Sequence, residues 1–270
     1  MKSKWLSGPY VIWMVLFTLI PLGIVFYFAF TDGAGQFTLA NIQRLGAYLP
    51  ILLRSAWMSI FSSILCLLIG YPVAYCMSKA SPTRQKIYYM LIMLPMCLSF
   101  LLRTMAWVSL LEDTGILNNF LRSLGLSPLP LIRNTGAVIL GMVYNYLPYM
   151  ILPLYTAMVK IDNSIIEAAQ DLGADIFRVL GRVLIPLAMP GIATGITMVF
   201  VPSVSTFIIS RMLGGGDTML VGDLIELQFL GNSYNYNLGS AMSLVLMVIV
   251  LLCMSLTNTS GNKDGVEGVM

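Results

Sequence analysis

Histidine is absent from the 270 residues, and only 10% of them are charged. The first absence removes Ser–His and Cys–His nucleophilic pairs and the commonest metal ligand. The second excludes an ordinary soluble core, in which about 25% of residues are charged. No GxxxxGK[ST] run occurs, so the chain carries no phosphate-cradling loop of its own. The four cysteines, Cys66, Cys76, Cys97 and Cys253, lack CxxC spacing and all fall inside apolar segments. They read as free thiols in a packed bundle, not as a disulfide framework. A net charge of +3, small and dispersed, excludes a nucleic-acid surface. No internal repeat is visible, which weighs against the inverted-repeat secondary transporters.

What the chain has is apolar length: 58% of it is hydrophobic. Six runs, at 9–30, 50–77, 87–111, 135–159, 187–210 and 238–256, are each long enough to cross a bilayer. Crossing about 30 Å of hydrocarbon at about 1.5 Å per residue needs about 20 residues. The first run exceeds a signal-peptide core and has no small-residue cleavage site after it, so it is expected to be a span. Composition thus predicts an all-α membrane protein with six transmembrane helices in one domain over 1–256. A disordered tail is expected over 257–270. Segments 31–49, 112–133 and 211–237 read as polar loops, and 78–86 as a short basic turn. Gly70-Tyr71-Pro72 predicts a kink in the second span. In the fifth span Gly191 and Gly195 form a GxxxG suited to close helix contact, within the chain or with a partner.

Six spans put both termini on one side of the membrane. Lys2, Lys4, Lys79, Arg84, Lys86, Lys160, Arg178, Arg182 and Lys263 share that side. Arg44, Arg54, Arg122, Arg133 and Arg211 fall on the other. The richer side is expected to be cytoplasmic.

The connector at 160–186 is helical in pattern yet too polar for a bilayer. Asp171, Asp175, Arg178 and Arg182 recur at helical spacing, and Gly173 interrupts the pattern where a helix can end. This predicts a helix–turn–helix on the cytoplasmic surface. Ala168, Ala169, Leu172 and Ala174 are free to face a partner. Glu167-Ala168-Ala169, then Gly173 four residues on and Pro186 thirteen residues beyond it, resemble the EAA loop of ABC importer permeases. Val183 and Ile185 are conservative departures from the family pattern. The resemblance implies that this loop docks an ATP-hydrolysing subunit, with Glu167, Ala168, Ala169, Asp171, Gly173, Ile185 and Pro186 as docking residues. A Cβ at Gly173 would obstruct either the turn or the close approach of the ATPase. The resemblance further implies a second permease subunit, two ATP-binding subunits and an extracytoplasmic solute-binding protein, in a bacterial cytoplasmic membrane. By the same resemblance ATP and Mg are expected on the partner subunits, with no cofactor and no enzymatic activity on this chain by itself.

Arg103 is the one charge clearly inside a span. Counted along a straight helix from Ile87 it lies about 24 Å up. It either lines a water-filled cavity or snorkels outward to pair with Glu112 or Asp113. Trp107 and the tyrosines Tyr144, Tyr146 and Tyr149 are candidates for the solute path, where they offer cation–π faces, or are plain packing. The stretches at 51–75, 101–121, 144–162 and 212–230 resemble the spermidine/putrescine permeases, which implies a polyamine cargo. Permeases for ferric iron, thiamine or phosphonate share the architecture. An ATP-independent transporter would call for intramembrane acids, and an intramembrane enzyme for a catalytic constellation. The predicted spans hold neither.

Overall fold

The computed structural model describes residues 8–175, 178–231 and 234–262. Lys2, Lys4, Lys263 and the tail beyond Asn262 lie outside the described residues. Helix accounts for about four-fifths of the described residues, and these contain no strand, only an isolated bridge between Thr31 and Phe37.

The first span comprises α1 (Gly8–Met14), a π turn over Val15–Leu19 and α2 (Ile20–Ala29). The widened turn has a cause. Pro21 has no N–H to give and its ring would clash with the carbonyl four residues back. The Ile20 N–H therefore reaches to the Val15 carbonyl, five residues back. The same device recurs at Val179–Leu184, ahead of Pro186, where the Ile185 N–H reaches the Leu180 carbonyl.

A short helix α3 (Ala40–Arg44) interrupts the expected first loop. Then α4 (Leu49–Ser78) runs for 30 residues with Pro72 inside it. α8 (Thr135–Met158) and α10 (Ile185–Val204) pack with α4 to form the main core, in which Met58, Met142, Met150 and Leu154 are fully buried. Small residues let the backbones approach. A Cβ on Gly191 would stand 2.6 Å from the Ala157 Cβ, and one on Gly195 would stand 2.7 Å from the Met150 sulfur. The GxxxG therefore packs within the chain, against α8. The last span, α13 (Tyr236–Asn262), closes on α2, where Asn237 donates to the Phe28 carbonyl at 3.0 Å.

Four expectations need correction. The third span is broken. α5 (Pro82–Met96) starts within the expected basic turn, and beyond residues 97–99 the chain resumes as α6 (Phe100–Leu111); the segment Phe100–Ser123 lies at 84° to α5. Five helices long and apolar enough to cross a membrane, with this bent pair, give up to six spans. Pro95 lies in the last turn of α5, and the Leu98 N–H folds back to the Pro95 carbonyl at 3.1 Å, so the helix closes there. The height of Arg103 along a straight helix is therefore void. The loop at 112–133 contains the amphipathic helix α7 (Ile116–Ser123). The fifth span ends at Val204, not Ser210, and 205–230 fold as a second helical connector: α11 (Ile208–Leu213), a 3-10 turn, and α12 (Val221–Leu230). Lastly, α13 extends to Asn262, so residues 257–262 of the expected tail are helical.

Candidate functional site

The connector expected to dock the ATPase is a helix–turn–helix led by α9 (Asn163–Asp171). Asp162 caps it, accepting from the Ser164 N–H at 3.0 Å, and this bond holds the Asp162 carboxyl below its usual range. At the other end Gly173 has φ +80°, its N–H donates to the Gln170 carbonyl at 2.8 Å, and the Ala174 N–H donates to the Ala169 carbonyl at 3.0 Å. This pair of bonds is a Schellman closure, which needs a left-handed residue at this position. A Cβ on Gly173 would meet nothing within 4 Å. Within the chain, then, it is backbone conformation and not crowding that calls for glycine.

Asp175 begins the next helical turn, accepting from the Arg178 N–H at 2.8 Å. The recurring charges are thus part cap and part solvated face; the described residues contain a single salt bridge, between Arg211 and Glu226. Residues 176 and 177 lie outside the described set.

A small core holds the element together: Ile166, Val179 and Leu184 are buried, with Ala169 and Ala174 packed on them. Of the four apolar residues free to face a partner, those two alanines turn inward. Glu167, Ala168, Asp171, Gly173, Ile185 and Pro186 are exposed, and Leu172 protrudes with 89% of its surface open. Sequence reasoning missed the anchors. The Tyr71 hydroxyl of α4 donates to the Leu180 carbonyl at 3.1 Å, and the Lys79 ammonium donates to Asn163 Oδ1. Burial lowers the Lys79 pKa, and the nearby charge of Glu167 opposes that shift.

The proposed path residues come together, but not all as lining. Trp107 and Tyr144 meet edge to face at 5.3 Å, and Tyr146 and Tyr149 lie 6.4 Å apart. Tyr144 and Tyr149 are open, whereas Tyr146 is buried and its hydroxyl donates to the Pro202 carbonyl at 3.2 Å. Tyr146 is therefore an anchor between α8 and α10. Arg103 is buried, 7% exposed, and neither its Nε nor its Nη1 has a hydrogen-bond partner. It does not pair with Glu112 or Asp113. Its guanidinium carbon stands 5.9 Å from the ring centre of Phe100, which in turn stacks on Tyr146 at 6.3 Å. Phe100 is absent from the sequence-based set, although its place three residues before Arg103 puts it on the same helix face.

Residues 66–260 match the family model described as binding-protein-dependent transport system inner membrane component. The chain is 39% identical over 250 residues to the spermidine/putrescine transport system permease protein PotB of Haemophilus influenzae, covering 89% of this chain and 87% of that one. It is 35% identical over 248 residues to PotB of Escherichia coli K12, covering 88% and 90%. In fold it is similar to a chain of a bacterial ABC transporter that imports the acidic polysaccharide alginate, with TM-score 0.75, 20% identity and coverage of 97% and 96%. A bundle of apolar helices with this family match is a multi-pass inner membrane protein. The chain belongs to the family of binding-protein-dependent transport system inner membrane components, and is the permease subunit of an ABC importer.

Proposed function

We propose that the chain translocates spermidine and putrescine, with α9 and both termini on the cytoplasmic side. The cargo assignment rests above all on the 39% identity to a spermidine/putrescine permease spread over 89% of the chain. The sidedness rests on the nine-to-five division of lysine and arginine. A soluble protein delivers the polyamine outside, a second permease completes the passage, and two ATPases drive it.

Exposed α9, with Leu172 at its tip, is the surface that enters the ATPase. When bound on those partner subunits, ATP and Mg supply the closing motion that moves α9. Three contacts carry that motion onward: the π turn before Pro186 into α10, the Tyr71–Leu180 bond into α4, and the Val159–Lys160 turn into α8. A π turn ahead of a proline is a widened, weaker stretch of helix where such a bend is least costly. Tyr144 and Tyr149 offer their faces to ammonium groups along the opened path.

One observation favours a second reading. A buried guanidinium with unpaired N–H groups suits an anionic solute better than a polycation, and a phosphonate fits it. The experiment is uptake by the assembled transporter in proteoliposomes, with its binding protein outside and ATP inside. Radiolabelled spermidine is expected to enter and putrescine to compete with it. Arg103→Gln is expected to change the transport rate about tenfold or more, because a charge in a low-dielectric path acts strongly. Phosphonate uptake without polyamine uptake would replace the first reading with the second.

A further inference from the structure

Between the far half of α4 and α5 lies a groove of about 850 Å³. Leu91 and Met90 on α5 are exposed beside it. Away from the turn that joins the two helices it is lined by Val73, Leu91 and Ile92, all apolar. At one end stand two cations, Lys79 and Arg84, flanked by Tyr75 and Tyr88. No acid is among the residues that line it. The charge of Glu167 on α9 acts on Lys79, and Asn163 accepts one of the Lys79 hydrogen bonds. Arg84 is exposed. From Val73 to Lys79 the groove follows about 9 Å of helix.

The order along the groove is apolar floor, tyrosines, cations. That is the order of a lipid's own parts: chain, interface, phosphate. A water-soluble anion would use the two cations and leave the floor uncovered. A neutral lipid would cover the floor and leave two charges uncompensated. We propose that this groove binds one anionic glycerophospholipid, with its phosphate between Lys79 and Arg84 and an acyl chain along Val73, Leu91 and Ile92. The headgroup then sits beside Asn163, the first residue of α9, so lipid charge reaches the connector directly. The site holds whichever solute is carried, and its failure would leave the cargo reading untouched.

Cys76 lines the groove and is exposed, while Cys97 is exposed outside it, so the native protein carries both a reporter and its control. The assembled transporter is placed in nanodiscs of dioleoyl phosphatidylcholine, with or without dioleoyl phosphatidylglycerol, and alkylated with N-ethylmaleimide. Phosphatidylglycerol is expected to slow labelling of Cys76 and leave Cys97 unchanged. Lys79→Gln with Arg84→Gln is expected to weaken that preference by about fivefold per cation, about 25-fold in all. Native mass spectrometry of the wild-type complex, with the two lipids in competition, reads the same preference without relying on the variant. Equal protection by both lipids would overturn the proposal. So would protection by glycerol phosphate alone, which would mean a free anion, or a Cys76 unreactive in every lipid, which would mean that a partner subunit covers the groove.

Discussion

Two helical connectors project near opposite ends of α4, and they are held in place by different physics. The first, α9 with the turn after it, hangs from Lys79 just beyond the end of α4. The second, α11 and α12, sits near its start, where the Val221 N–H donates to the Ser55 hydroxyl at 2.8 Å. The first is mostly exposed, with a small core of Ile166, Val179 and Leu184, and its helix ends are closed by local bonds: an Asp162 cap, a Schellman glycine and an Asp175 cap. The second is closed by burial. Leu213, Leu220, Val221 and Asp223 are inside, and α12 comes so close to the corner after α10 that a Cβ on Gly222 would stand 2.5 Å from the Ser205 and Thr206 carbonyl oxygens. A connector made by local bonds announces itself in residue types. One made by distant close packing does not.

The sharpest way to break this contrast is to add a side chain where packing decides. Gly222→Val should cost about 3 kcal/mol, because the atoms in the way are backbone and cannot step aside. Thermal melting of the purified chain in detergent should drop with it, and uptake should be lost. A variant that melts like wild type would show that the second connector is not held by close approach.

The next test moves to the turn where conformation decides. Gly173→Ala places a Cβ in open space but in a left-handed backbone, at about 1–2 kcal/mol. Asn tolerates that conformation, so Gly173→Asn should keep most uptake while Ala loses it. Bundle melting should stay near wild type in both variants, with ATPase association the quantity that falls in Ala. Equal loss in Ala and Asn would instead point to contact with the partner ATPase as the reason for glycine.

The smallest expected effect concerns the charge buried in the second connector. Burial raises the Asp223 carboxyl above its ordinary value of 3.8, against the opposing pull of the Leu220 N–H, the Ser210 hydroxyl and the Arg211 charge. A carboxyl that holds its proton more tightly when folded adds stability below 3.8 and loses that contribution as pH rises through the raised folded value. Asp223→Asn removes the titration while keeping an oxygen for the Leu220 N–H, which donates to Asp223 at 2.8 Å. Melting of the variant should therefore gain on wild type as pH rises above 3.8. A constant difference across pH would mean that Asp223 titrates alike in folded and unfolded chains.

The helices that cross the membrane were legible because hydrocarbon imposes a length and a polarity on any segment that enters it. Leu49–Ser78 and Thr135–Met158 agree with the apolar runs to within a residue or so. The break after Pro95 was not legible, since the apolar run continues across it and composition carries no direction. The same blindness misplaces Arg103, because a height counted along one straight helix ignores the break at 97–99. Tyr146 was picked out by type, but whether a tyrosine lines a path or anchors two helices depends on where its hydroxyl ends. Here it ends on the Pro202 carbonyl, 56 residues away.

Residue order alone determined the class of the protein, the positions of most spans and the turn at Gly173, because each follows from local free energy: transfer into lipid, or the φ cost of a side chain. Only the tertiary structure decided that Ala169 and Ala174 face inward, that 205–230 fold back as packed helices, and that Lys79 and Arg84 stand over an apolar groove. Those depend on which distant segments meet, and pairwise packing between segments is not written in either one by itself.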